Sequence, residues 1–278
     1  MLSTKINQEL FYEPYHGHDV EDIIKIYYAA KSSKVDQIVW LAGDSTLDNK
    51  YWIKKDEQKP ATHVYDKILD NPHMIQDVAY HVNTLLNKNQ LCINTSIEAT
   101  TLEQHITRSF EQDVFIKENV GVNDTLIVSC GGNDILFDPM SMMPHLLKYL
   151  VTGYIDFFHD IFHDKLKAFV KKLTKKTKPK KVIICILYYP NFQNPAGWAS
   201  TLLSAFKMLG AENMVLKLIQ TVYQECVSKI KITGLNLEYC PLYIALDGTN
   251  TNDYVSGVEP SVQGGKKIAL LLNQFIDK

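Results

Sequence analysis

Several things are scarce in this sequence, and each absence excludes something. No apolar stretch approaches the roughly 20 residues that a membrane-spanning helix needs. Neither sign of charge is in excess: 29 Lys and Arg face 31 Asp and Glu, a formal net charge of −2. That leaves no electrostatic case for nucleic acid or an anionic membrane as partner. The five cysteines (Cys92, Cys130, Cys185, Cys226, Cys240) show no C-x-x-C spacing. They read as reduced core thiols, which points to the cytoplasm. Met1 to Glu9 lacks the apolar core of a signal peptide, although export without one leaves no such mark. No H-E-x-x-H, P-loop or G-x-G-x-x-G occurs, so neither a metal nor an organic cofactor is expected. Histidine stops early: nine are present and the last is His163. Internal repeats and low-complexity linkers are missing too. A chain of 278 residues suits a single α/β domain spanning 1–278. Nothing in it speaks to oligomeric state.

What is present is an alternation. Apolar, β-branched-rich runs at 37–42, 90–94, 125–130, 181–188 and 237–244 are apolar almost throughout, as strands covered on both faces are. Helix-period segments lie between them. Met74, Ile75, Val78, Ala79, Val82, Leu85 and Leu86 repeat at three and four, as do Met214 through Ile230. A leading helix is predicted over about Val20–Ala30 and a last one over about Gln263–Phe275. The rhythm predicts a three-layer α/β/α sandwich, flavodoxin-like, around a five-stranded, mostly parallel sheet. The stretch 138–173 exceeds one crossover, and predicts a helical insertion near 138–153, placed to cover a site, before a crossover helix over about Tyr154–Leu173. The lysine run from Lys171 to Lys181 falls at a helix C-terminus and reads as a solvated surface.

The strand ends carry the chemistry. Gly43-Asp44-Ser45 closes the first run, and Gly131-Gly132-Asn133-Asp134 closes the third. In an open parallel sheet, ligands collect outside the carboxyl ends of the strands. Ser45 there has the position of a nucleophile, at a turn or helix start whose N–H groups suit an anion. Asn94 through Ala99-Thr100 leaves the second run, where the Ala99 N–H can serve as a donor. The Asn133 amide can serve as another, as a tetrahedral oxyanion requires. Each piece alone has a plainer reading: a cap for Asp44 and Ser45, a turn asparagine for Asn133. Tyr51 and Trp52 follow closely and either line an acyl or sugar pocket or pack a core. Tyr188, Tyr189 and Trp198 flank the loop after the fourth run, which reads as one wall of a cleft.

These blocks, in this order and spacing, resemble the SGNH, or GDSL-type, hydrolases, from about residue 36 onward. The resemblance implies Ser45 as nucleophile. It also implies an oxyanion hole made by the N–H groups of Ser45 and Ala99 and the side chain of Asn133. Asp44 and Gly132 belong to the same motifs and are taken as substrate-binding, with Tyr51 and Trp52. The family usually has glycine where Ala99 stands. It implies ester hydrolysis of a small-molecule or acylated substrate, through a seryl intermediate and without a cofactor.

The last family block, Asp-x-x-His, is missing. Ser256 stands at the aspartate and Glu259 at the histidine, inside a frame (Pro260, Ser261, Gly264) that otherwise matches. Three accounts follow. Glu259 is the base, its pKa raised by burial or by Asp247 or Asp253. Or a histidine arrives from elsewhere, with His63, His105 and His145 as candidates. Or Ser45 is inert, and the protein binds an anionic or acylated ligand or a partner protein. A nucleotide-binding module with phosphate at the Ser45 turn ranks last.

Overall fold

The computed structural model describes residues 5–193, 195 and 197–276. Helices α1 (Gln8–Tyr12) and α2 (Val20–Ser32) precede β1 (Gln37–Gly43). A short antiparallel pair follows, β2 (Gln58–Pro60) and β3 (His73–Ile75), with α3 (Tyr65–Ile68) between them. Next come α4 (Val78–Leu85), β4 (Gln90–Asn94), α5 (Leu102–Thr107), α6 (Glu111–Asn119) and β5 (Thr125–Ser129). Beyond β5 lie α7 (Gly132–Leu136), α8 (Pro139–Thr152), α9 (Asp156–His159), the π-helical turn Asp160–Lys165 and α10 (Leu166–Leu173). The chain finishes with β6 (Lys181–Ile186), α11 (Ser200–Met208), α12 (Glu212–Glu225), β7 (Leu237–Pro241) and α13 (Val262–Ile276).

Five strands form one parallel sheet in the order β4-β1-β5-β6-β7. Numbered among themselves, that is 2-1-3-4-5, the flavodoxin-like order, whose direction reverses between β1 and β5. Period-two alternation sends neighbouring residues of β1 to opposite faces. Ile38, Trp40 and Ala42 join the core beneath α2, α6, α10 and α12, while Val39 and Leu41 join the one beneath α4 and α13. Both faces are therefore dry, which is why the strands read as unbroken apolar runs. Trp40 needs a partner for its indole N–H inside that core and finds Asp124 Oδ2 at 2.9 Å.

Two expected elements differ. The 74–86 periodicity is not one helix: Met74 and Ile75 belong to β3, and Asp77 caps α4 by accepting from Tyr80 N at 2.7 Å. The stretch after Gly153 begins its helix at Asp156 and carries a π-turn, so it is not one regular α-helix. All five cysteines are buried and free. Among the described residues no helix is long and apolar enough to cross a membrane.

Candidate active site

The switch point of the sheet holds the site. Gly43 ends β1 with φ +132°, and a Cβ there would lie 1.8 Å from Ser129 O, so only glycine lets the two strand ends approach this closely. Asp44 N then donates to Ser129 O at 3.0 Å, while Asp44 Oδ1 accepts from Thr46 N at 3.1 Å. These bonds fold 44–48 into a turn that carries Ser45 at its head. It does not run on into an α-helix, so the positive helix end considered for Ser45 is not there.

The turn after β4 docks against it. Ile97 N donates to Gly43 O at 2.8 Å, and Asn94 Nδ2 to Leu47 O at 3.2 Å. Ala99 sits at φ +58°, a left-handed conformation that costs a Cβ-bearing residue on the order of 1 kcal/mol. Behind it, Thr100 Oγ1 lies 2.9 Å from His105 Nε2, and His105 Nδ1 lies 2.9 Å from Asp113 Oδ2. This buried trio braces the turn. Asn133, after β5, donates its amide to Thr100 O at 2.8 Å, which leaves its second amide hydrogen to offer. Among the described residues neither the Ser45 N–H nor the Ala99 N–H donates to any protein acceptor. Three distant turns therefore meet at one place. Replacing Ala99 by glycine is expected to raise stability by about 0.5–1 kcal/mol, because relief of the left-handed Cβ outweighs the added freedom of the unfolded chain. Denaturant unfolding of the two proteins measures it; a destabilised variant contradicts the strain.

Glu259 completes the site. It is 1% exposed, and Trp198 Nε1 donates to its Oε1 at 2.9 Å. Burial pushes its carboxyl up to about 7, with Asp44 adding to the rise, while Trp198 and the nearby Ser45 hydroxyl oppose it. The Ser45 hydroxyl is close enough to act on that carboxyl without being aligned as a hydrogen bond, and Glu259 Oε2 is buried with no partner among the described residues. Catalytic hydrogen bonds are often loose until substrate binds. A second carboxyl, Glu98, faces Glu259. Burial and then the charge of Glu259 push it up to about 10, so it stays neutral where Glu259 ionises. Asp44, also buried, is pushed up to about 6 by desolvation.

The carboxyls that raise Glu259 are thus not Asp247 or Asp253. Asp253 is bound to Lys267 at 2.6 Å and to Gln263, and Asp247 to Thr249. None of the three candidate histidines reaches Ser45. His63 Nε2 bonds Asn83 O, His105 is enclosed as described, and His145 stacks on Phe157. Among the described residues the Oγ of the buried Ser256 has no partner, and its Cβ lies where a side chain on Gly197 would go.

Ser45, Asp44, Gly132, Asn133 and Glu259 line one cavity of about 120 Å³. Tyr51 and Trp52 do not: Tyr51 is exposed and packs on Tyr15, and Trp52 lines a separate groove beside Tyr80 and His81. Sequence reasoning missed Glu98, although an acidic residue beside Ala99 in a buried strand-end stretch was a signal. It placed Trp198 in a cleft wall without its bond to Glu259. Tyr15, whose hydroxyl is pushed up to about 12 by burial and then by the charge of Glu98, carried no signal. Among the described residues one group, His159, His163 and Asp164 on the 156–173 helix, brings three ligand atoms within 4.8 Å of one another.

No protein-family model matches the sequence, and no curated protein matches it. Solved structures with a similar course of chain include the lipase Lip_vut3 from a goat rumen metagenome (13% identity, TM-score 0.48, covering 86% of this chain and 96% of that one). Another is Est24, a carbohydrate acetylesterase from Sinorhizobium meliloti (12%, TM-score 0.49, 87% and 99%). A third is the inhibitor-bound aryl esterase of M. smegmatis (10%, TM-score 0.49, 86% and 98%).

Proposed function

We propose that this chain, whose strand-end motifs are those of the SGNH hydrolases, cleaves an ester through a seryl intermediate. The observation that carries the reading is the convergence of Ser45, Asn133 and a buried Glu259 on one cavity. Ser45 Oγ attacks the ester carbonyl carbon and its proton passes to Glu259. The negative oxygen of the tetrahedral intermediate is held by the N–H groups of Ser45 and Ala99 and by the Asn133 amide. The carbon–oxygen bond to the leaving alcohol breaks, and the alcohol takes the proton from Glu259. Water then repeats the sequence on the acyl-serine and releases a carboxylic acid. Trp198 orients Glu259 in the way the third member of a triad orients its base.

A fluorophosphonate tests this directly. Intact-mass measurement is expected to find one equivalent on the wild-type protein and none on Ser45→Ala. A second reading, a silent protein that binds an acylated or anionic ligand in the same cavity, is favoured by one observation: among the described residues lining the cavity there is no histidine. Wild-type protein left unlabelled by the probe and inert toward short p-nitrophenyl esters would select that reading.

A further inference from the structure

We propose that the cavity lined by Ser45 is an acyl-chain pocket and that the ester it takes carries a linear aliphatic acyl group of about six carbons. This rests on the ester-hydrolase reading and adds the substrate class. The cavity has two unlike linings. One is polar, made of Asp44, Ser45, Asn133 and Glu259. The other is apolar, with Met142 and Leu146 of α8, Phe158 and Phe162 around the π-turn, Phe206 of α11 and Val222 of α12. All six are buried. None offers a hydrogen bond, so a sugar, nucleotide or peptide acyl group would leave its polar atoms unpaired there. Native interiors keep few voids larger than a water molecule. An apolar void of about 120 Å³ that opens beside a hydroxyl fits an alkyl chain.

The size sets the length. An apolar cavity of about 150 Å³ holds the six carbons of benzene. At about 120 Å³ the volume here therefore takes roughly five carbons beyond the carbonyl without rearrangement. An acetyl group would leave most of it empty, and a palmitoyl chain would overrun it. These walls from α8, the π-turn, α11 and α12 are completed by Ile135, Leu136, Ile186 and Leu187, which follow or end β5 and β6.

The experiment measures kcat/KM for p-nitrophenyl esters from acetate to palmitate. Each methylene buried is worth roughly a three- to fourfold gain, so hexanoate, with its four further methylenes, is expected to exceed acetate by about 100-fold, with a fall beyond about eight carbons. Leu146→Trp fills the cavity and is expected to lower the hexanoate-to-acetate ratio at least tenfold. In parallel, Ser45→Ala protein, which cannot turn over through this serine, is titrated with methyl hexanoate and methyl acetate. Saturable binding of the hexanoate alone supports the pocket even where turnover fails. Wild-type protein that labels at Ser45 yet treats all chain lengths alike, or Ser45→Ala protein that binds neither ester, overturns the pocket, in the first case leaving the hydrolase reading intact.

Discussion

Glu259→Gln is expected to lower kcat/KM by about 10²–10⁴-fold, the range a positioned general base contributes, while leaving the fold in place. The substitution suits the site. The glutamine carbonyl oxygen can still accept from Trp198 Nε1, so the side chain keeps its tether. What it loses is the capacity to take a proton. The wild-type carboxyl titrates at about 7, mainly because it is buried. Activity that needs its ionised form therefore rises with pH and is half-maximal near 7, and the residual activity of the glutamine variant is flat across that range. The stability sign runs the other way. A carboxyl raised above its unfolded value of 4.5 favours the folded state below that value, and the contribution is lost as pH rises through about 7. Glutamine carries no such loss, so at pH 8 the variant should melt no lower than wild type. A variant that is fully active, or one whose activity keeps the wild-type pH dependence, removes Glu259 from the mechanism.

Asp48→Ala is expected to cost about 3–5 kcal/mol, the penalty for stranding one partner of a buried pair. That is a large share of the roughly 5–15 kcal/mol by which folded proteins are stable. Asp48 and Lys50 are both sealed from solvent, with Nζ at 2.8 and 3.0 Å from the two carboxylate oxygens. The same carboxylate accepts from Gly17 N and from Glu98 N, each at 3.1 Å. It thereby ties the N-terminal segment and the turn bearing Glu98 to the Ser45 turn. Removing it leaves an unpaired ammonium and two unpaired amides under the active site. Denaturant unfolding measures the loss. The double variant Asp48→Ala, Lys50→Met is expected to recover the ammonium's part, since both charges are then gone. A single variant within 1 kcal/mol of wild type would mean that the ammonium finds water or another acceptor.

The sheet was legible because strands covered on both faces must be apolar throughout. The runs at 37–42 and 90–94 fall within a residue of β1 and β4. The strand-end clustering was legible for the same reason: polar residues that close a buried strand have only the rim to go to. What escaped the reading depends on contacts distant in sequence. Met74 and Ile75 fit a helical period equally well, and only pairing with Gln58–Pro60 makes them a strand. Glu259 could be named from its frame, but its partners Trp198, Asp44 and Glu98 come from three other segments. His105 looked like a possible base; packing against Thr100 and Asp113 commits it to support.

The π-turn at Asp160–Lys165 has a wider meaning. Each residue of a regular helix advances about 100° around its axis, so one extra residue turns everything before it out of phase with everything after. Here Phe158 and Phe162 line the hollow, while Phe169, Val170 and Leu173, beyond the turn, are buried in the same core without reaching it. Trimming a single position would swing the aromatic pair away with no side chain replaced. The room available to a guest is set as much by chain phase as by which amino acids surround it.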